Sequence, residues 1–442
     1  MIDVHLLRDK PNAFYESAKK RFMETGPLDR FFELDEKWRK NLKEINDLKR
    51  EKNEMSLKIS ETVKKKGDPS EIKKNVRELN EKIDHLESEQ KQIASDRDAV
   101  LKTIPNIIHE SVPVCKGDEN NAVVRYVGKA RVFSEDLEYF RNSTPANSKF
   151  VEVEKRPISH VDLLEKLNLI DIPRAGKVAG ARFYYLKNRL VKTEMALMNY
   201  AVDFLSERGF NIVEPPYMLN YSSMDSVTDL ETFKDALYKI EGEDLYLIAT
   251  SEHPIGAMLK DEILEEDDLP LRIAGISPCF RREAGAHGKD TKGIFRVHQF
   301  NKIEQFIFCK PEHSWEFLEE ILGNAEEFCR SLALPYRVVN ICSGELSVLN
   351  AKKYDIEVWF PAQGRFREVV SASNNTDYQA RSLNIRYRTK DGNKIINTLN
   401  STEVATTRIL VALAENFQEP DGSGIRIPDV LVPYTGFDFI SY

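Results

Sequence analysis

Two arginines, a carboxylate and an aromatic ring recur within one short stretch of this chain. Phe280-Arg281-Arg282-Glu283 leads into a polar, glycine-bearing segment, Ala284 to Gly293. The chain then returns as Ile294-Phe295-Arg296-Val297-His298-Gln299-Phe300. The flanking runs read as strands, so the stretch predicts a hairpin that sets Arg296 and Phe300 beside Arg281 and Glu283. The guanidinium fork binds phosphate oxygens in pairs. An aromatic ring offers a base a stacking surface, and loop glycines allow a ligand close to the backbone. The same residue types also make an ordinary surface hairpin with salt bridges, and composition alone leaves both readings open.

A hairpin of this kind needs a sheet to hold it. From about Ser111 onward, short runs rich in aromatic and β-branched residues alternate with turns and shorter helical patterns. Leu245–Ile248, Leu271–Gly275, Phe306–Phe308, Tyr336–Ile341 and Ile356–Phe360 are examples. They predict a large, mostly antiparallel sheet with helices packed on it.

The first quarter of the chain has a different period. From Leu28 to about Thr62, one heptad position reads Phe31, Trp38, Ile45, Lys52, Ile59 and the other reads Leu34, Asn41, Leu48, Met55, Thr62. Seven of these ten are apolar, and the residues between them are nearly all charged or polar, which is a coiled-coil seam. Gly67 and Pro69 break the pattern, and Ser70 is placed to cap a second helix. Its seam is Ile72, Val76, Leu79, Ile83, Leu86, Gln90, Ile93, Arg97 and Val100. Two long amphipathic helices and a tight turn make an antiparallel hairpin. Ile104-Pro105-Asn106 and Ser111-Val112-Pro113 read as an extended linker. The expected fold is therefore α+β. Residues 1–110 form an N-terminal domain with the hairpin at about 28–102, and residues 111–442 form a second, sheet-based domain.

A chain of 442 residues is too long for one compact core. Its five cysteines, Cys115, Cys279, Cys309, Cys329 and Cys342, are widely spaced and include no CxxC pair. That disfavours a zinc knuckle or a disulfide framework and fits a reducing, cytoplasmic setting. No stretch approaches the roughly 18 apolar residues of a membrane span. The opening residues lack the basic-then-apolar order of a secretory signal. The net charge of −8 means that any contact with nucleic acid must use a local basic surface.

The hairpin motif resembles the second signature of class II aminoacyl-tRNA synthetases, Phe-Arg-x-Glu followed by a variable loop and Arg-x-x-x-Phe. Upstream, Gly209-Phe210 to Glu214-Pro215-Pro216 resembles the first signature, found at a dimer interface. Downstream, Asn397 to Thr402 and Ala405-Thr406-Thr407-Arg408 resemble the third. Within that class the chain is identified as a member of the seryl-tRNA synthetase family. The carriers are Thr250-Ser251-Glu252, Arg296 through Glu304, Glu368-Val369-Val370-Ser371, Asn374 to Arg381, the linker and the hairpin arm. The third signature, with Ser401, Thr402, Glu403 and Thr407 where bacterial members carry glycines, resembles the archaeal and eukaryotic branch. Cys115 replaces the linker's usual glycine.

The resemblance implies roles. Arg281 would contact both the ATP α-phosphate and the serine carboxylate. A cation between two anions that must react is chemically sensible. Glu283 would accept from the adenine amino group, and Arg296 would lie near the γ-phosphate of a bent ATP. Adenine would sit between Phe300 and Arg408. Arg281, Glu283 and Arg408 are thus the expected catalytic residues. Arg282, Val297, Val369 and Val370 would complete the ATP site, Val297 largely through its backbone. Glu368 and Ser371 would hold Mg²⁺ as hard oxygen donors shared with phosphates. Thr250 and Glu252 would hold the serine α-amino group, Ser251 would complete the serine site, and Glu304 and Thr402 would bind the hydroxyl. Buried groups left unpaired by alanine or glycine reject those analogues. His298 is expected to be structural.

The implied activity is ATP-dependent ligation of L-serine to tRNA(Ser), and to tRNA(Sec) where that exists, by a homodimer with no membrane attachment. Between Arg30 and Lys102 stand 19 Lys/Arg and 17 Asp/Glu, so the arm is no general polycation and would grip RNA by shape. The Lys64–Lys66 cluster is its most basic point. Only 34 residues follow Arg408, which leaves no room for the C-terminal anticodon-binding domain of threonyl, prolyl and histidyl relatives. A non-catalytic scaffold would have lost some of Arg281, Glu283, Glu304, Glu368 and Arg408. A ligase loading a carrier protein would lack the arm.

Overall fold

The computed structural model describes residues 1–228, 230–283 and 292–442, with the side chains of residues 231 and 232 excepted. The chain forms two compact units, Ile2–Pro105 and Asn106–Tyr442 together with Met1. The division falls after Pro105 rather than after residue 110. Asn106 belongs to the second unit because its amide donates to the carbonyls of Leu349 and Asn375, both at 2.9 Å.

In the first unit, α1 (Gly26–Lys64) and α2 (Ser70–Thr103) pack along each other. Every residue expected in the seam is buried or half-buried. The polar ones have partners. Asn41 donates to the Leu86 carbonyl, and Gln90 donates to that of Trp38, both at 3.3 Å. Arg97 lies over the Trp38 ring, 4.7 Å from its centroid. Near the base, the fully buried Asp35 is within 4 Å of three guanidiniums, those of Arg8, Arg39 and Arg97. A carboxylate is tolerated at such a position only with compensation of this kind.

The turn between the helices departs from expectation. Lys66, not Gly67, takes the left-handed conformation, with φ +55°. The Gly67 amide closes on the Thr62 carbonyl at 2.9 Å, a helix-ending bond of the Schellman type. Ser70 does not cap α2. It is the first helical residue, and the Asp68 carboxylate accepts from its amide at 2.9 Å.

The second unit is built on eight strands: β1 (Ala122–Val127), β2 (Asn211–Val213), β3 (Leu271–Phe280), β4 (Gln299–Cys309), β5 (Tyr336–Asn340), β6 (Lys352–Phe360), β7 (Arg365–Asn374) and β8 (Asn397–Ala405). Their spatial order is β1-β5-β6-β7-β8-β4-β3-β2. Every pairing is antiparallel except β3 with β2. The helices α3 (Arg189–Ser206), α4 (Ser314–Ser331) and α5 (Thr406–Asn416) pack on the sheet.

β8 is buried along all nine residues although it reads Asn-Thr-Leu-Asn-Ser-Thr-Glu-Val-Ala. Its polar side chains divide by the two-residue period of a strand. Glu403 points to the back face, where it accepts from Gln305 at 2.7 Å, and Gln305 also donates to Ile321 on α4. Asn400 and Thr402 point to the front. The fold thus places helices behind the sheet and leaves polar side chains in front of it.

Candidate active site

The front of the sheet holds a cleft of about 520 Å³. β4 contributes Phe300, Lys302 and Glu304, spaced by two and therefore on one face. The antiparallel pairing of β4 with β8 sets Glu304 directly opposite Thr402. Thr402 Oγ1 lies 3.2 Å from Glu304 Oε2, and Asn400 Nδ2 lies 3.0 Å from Oε1. The same Asn400 amide is 3.1 Å from Glu252 Oε2, and Gln379 Nε2 is 3.1 Å from Glu252 Oε1. Glu252 opens a short helix, Glu252–Ala257, and its amide donates to Thr250 Oγ1 at 3.2 Å.

β7 brings a second pair of oxygen donors. Glu368 and Ser371 are three residues apart, a spacing that points to opposite faces of a regular strand. The pairing of β6 with β7 shifts between Ile356 and Glu357, so that Val369 is an inserted residue. This bulge re-phases the strand and lets both Glu368 and Ser371 line the cleft. Arg408, in the first turn of α5, donates to Glu368 Oε1 and to its carbonyl, both at 3.1 Å. Thr406 anchors the start of that helix by donating to Glu194 at 2.6 Å.

Arg281 follows the end of β3. Its amide donates to the His298 carbonyl at 2.9 Å, and His298 Nδ1 donates to the Arg281 carbonyl at 2.7 Å. Its Nε donates to the Ala249 carbonyl at 3.2 Å, and its guanidinium stands 5.2 Å from the Phe300 ring centroid. Glu283 has φ +48°, uncommon for a residue other than glycine, and pairs with Arg296 Nε at 3.3 Å.

Burial shapes the charges. Enclosure, reinforced by Glu304, pushes the Glu252 carboxyl up to about 7. Enclosure, with Lys302 and Arg281 nearby, holds His253 down at about 3, so it is neutral. Burial also works to raise Glu368, but Arg408 and Lys353 outweigh it and hold Glu368 down at about 2.

Twelve of the residues expected in the site share this cleft: Thr250, Glu252, Arg281, Glu283, Arg296, Phe300, Glu304, Glu368, Val369, Ser371, Thr402 and Arg408. Four stand elsewhere. Ser251 is fully buried, and its hydroxyl donates to the Gly275 carbonyl at 3.1 Å, because the turn of the short helix points it into the sheet. The Arg282 side chain is exposed, and its amide donates to the Ala236 carbonyl at 2.9 Å. Val297 and Val370 are packed in the main hydrophobic core. The loop 284–291, read from the sequence as part of the motif, lies outside the described residues. The Arg408 guanidinium stands 5.5 Å from the Phe295 ring centroid.

Sequence reasoning missed Lys302, Asn400, Gln379 and Lys353, all of which reach or support the cleft. The signal was present for two of them. Lys302 lies two residues before Glu304, and Asn400 two before Thr402, so each shares the face of a residue already singled out. Cys115 makes thiol contact with Cys342, whose thiol is pushed up to about 12 by burial and that contact.

Comparison with known proteins agrees with this geometry. The family described as tRNA synthetase class II core domain (G, H, P, S and T) matches residues 233–417, and the Seryl-tRNA synthetase N-terminal domain matches residues 1–108. The serine–tRNA ligase of Thermoplasma acidophilum is 65% identical over 440 residues, which cover 100% of this chain and 99% of that one. The crystal structure of seryl-tRNA synthetase from Pyrococcus horikoshii complexed with ATP superimposes with a TM-score of 0.96 at 48% identity, covering 100% of this chain and 99% of that one. The cytoplasmic serine–tRNA ligase of Naegleria fowleri in complex with AMP gives a TM-score of 0.85 at 39% identity, with the same coverage.

Proposed function

The chain belongs to the seryl-tRNA synthetase family, and on that premise we propose how its cleft divides the work. The activity is that of an ATP-dependent serine–tRNA ligase. L-serine and ATP give seryl-adenylate and pyrophosphate, and the seryl group then passes to the 3′ end of tRNA(Ser).

The observation that carries the reading is the pair Glu304–Thr402. A carboxylate and a hydroxyl, both buried and directly opposed across two strands, stand in the same cleft as Arg281. Such a pair reads a substrate hydroxyl as donor and acceptor together. Glu252 and Thr250 take the α-ammonium, and Arg281 takes the carboxylate. The nucleophile of the first step is the substrate's own carboxylate oxygen, so the protein's task is placement and charge stabilisation. Arg281 lies between that oxygen and the α-phosphate and offsets their repulsion. Arg296 receives the γ-phosphate and Glu283 the adenine amino group, which parts the Glu283–Arg296 pair. Adenine lies on Phe300 and displaces the guanidinium of Arg281 from that ring face, with Arg408 on its other side.

Glu368 and Ser371 are the proposed Mg²⁺ ligands. The bulge at Val369 gives them a common direction, and both are hard oxygen donors. Among the described residues no group of three His, Cys, Asp or Glu side chains could hold a metal, which fits an ion shared with phosphates rather than caged by protein. When bound, the ion would neutralise phosphate charge as pyrophosphate departs.

The arm of α1 and α2 is the proposed grip on tRNA(Ser), and on tRNA(Sec) where that exists. Two copies of the chain pair through the surface around α3. Exposed apolar side chains there, Met195 with Tyr185 and Met218 on neighbouring segments, suit burial by a partner. The cytoplasm is the proposed location. All five cysteines are free thiols, and no described helix is long and apolar enough to cross a membrane. ATP–pyrophosphate exchange with serine, alanine, glycine and threonine, followed by tRNA charging, tests the whole reading. Exchange that is equally fast with alanine would overturn it.

A further inference from the structure

Lys302 is nearly closed off from solvent, with a side chain 6% exposed, and its Nζ lies 2.6 Å from Glu304 Oε2. Buried ammonium groups persist only where they are paired. The other groups that face Glu304 come from four directions. Thr402 and Asn400 on β8 are neutral donors. Glu252 on the short helix is negative when ionised, and Arg281 beyond β3 is positive. His253 and Cys279 are buried and neutral. Among the described residues around Glu304, then, two carboxylates are set against the ammonium of Lys302, while Arg281 faces the place of the substrate's own carboxylate and Lys353, in the same cleft, is paired with Asp355. The pocket has one negative charge more than its ammonium can balance.

The hydrogen-bond count at Glu304 runs parallel. A carboxylate offers about four acceptor positions. Lys302, Thr402 and Asn400 occupy three of them. One remains.

We propose that Lys302 is a positioning residue for amino-acid selection: its ammonium holds the Glu304 carboxylate turned so that the remaining acceptor position meets the substrate hydroxyl, and it offsets one of two negative charges so that Glu252 is left for the substrate α-ammonium. This rests on the reading of Glu304 and Glu252 given above. Without Lys302, two carboxylates joined through the Asn400 amide face each other in an enclosed site. Like charges in that arrangement cannot both ionise readily, and one takes up a proton. Glu252, already raised to about 7 by burial and by Glu304, is the one that gains it and no longer pairs with the substrate ammonium.

The test is ATP–pyrophosphate exchange with the full-length protein over pH 6 to 9. The variants are Lys302→Met, Lys302→Ala with and without added ethylammonium, and Glu304→Gln. In Lys302→Met, KM for serine rises by ~100-fold near neutral pH, the scale of a lost hydrogen bond to a charged group. KM for ATP stays within about 2-fold, because Lys302 does not face the phosphates. The rise of serine kcat/KM with pH moves to higher pH than in the parent, and ethylammonium restores Lys302→Ala in a saturable way. A folded Lys302→Met protein with the parent's pH profile and serine KM overturns the proposal. If Lys302→Met does not fold, Lys302→Gln carries the same expectation and the same refutation. Glu304→Gln separates this failure from a deeper one. If that variant keeps the parent's serine KM and its preference for serine over alanine, it is the assignment of Glu304 that fails.

Discussion

Thr402 stands opposite Glu304 on the neighbouring strand, its hydroxyl 3.2 Å from the carboxylate. Neither group has an apolar substitute that keeps the pocket's shape and its reading of a hydroxyl. Thr402→Val preserves volume and removes only the hydroxyl. It is expected to raise KM for serine by about 10- to 100-fold, the range of one lost hydrogen bond at a buried polar site. The ratio of serine to alanine activation falls with it, while KM for ATP is unchanged. Amino-acid titrations in the exchange assay check this, and an unaltered serine-to-alanine ratio would count against the pocket.

Arg281 is fixed by backbone before any ligand arrives, through the reciprocal bonds with His298. Arg281→Ala is expected to lower the exchange rate by about 10³-fold or more, as loss of a preorganised charge in a transition state does. His298→Ala keeps the guanidinium but removes one bond that orients its main chain, so a milder loss of about 10-fold is expected. The order of the two effects is the check. A His298 variant worse than the Arg281 variant would contradict it.

The Glu252 carboxyl is raised from 4.5 to about 7 by burial and by Glu304. Below about 7 it carries a proton and cannot pair with an ammonium ion. Above, it is ionised. KM for serine should therefore fall as pH rises from about 6 to 8, approaching tenfold per pH unit on the acid side. His253, held near 3, is neutral throughout and contributes nothing to the slope. The ligand-free fold responds in the other direction. Between 4.5 and about 7 the folded chain holds this proton more firmly than the unfolded chain does. Glu252's contribution to stability is thus full at low pH and is lost as pH climbs through about 7. Serine KM and thermal unfolding measured across one pH series test both signs.

Deleting residues 30–102 removes the paired helices and leaves every residue of the cleft in place. Adenylate formation should continue at close to the parent's rate while charging of tRNA(Ser) collapses. Unchanged charging by the shortened protein would take the arm out of tRNA recognition.

The helical seam was legible because heptad spacing is a local property: each position from Phe31 to Val100 faces inward as its period requires. The strands were legible in place but not in length: the return run from Arg296 and the run Phe306–Phe308 read as separate pieces, and from Gln299 onward they are one strand, β4. The site divides in the same way. Arg281, Glu283 and Phe300 lie in one hairpin and could be grouped from spacing. The Glu368–Ser371 pair needs an inserted residue to share a face, and strand period alone argues against it. Gln379, on the short helix Tyr378–Ser382, becomes meaningful only when the fold brings it to Glu252. Val370 lies on β7 with its side chain in the core, and Val297, just before β4, also buries its side chain there, so only its backbone is left for the nucleotide. Ser70 reads as a cap by residue type, but Asp68, two places earlier, takes that work.

The seam of the arm is not uniform along its length. Phe31, Leu34, Asn41, Ile45 and Ile83 are buried, whereas from Leu48 to Val76 every seam residue is only half-covered. Fewer apolar contacts mean easier local opening, so amide hydrogens near Lys64 and Ser70 should exchange fastest and those near the base slowest. The arm behaves as a zipper fastened at one end.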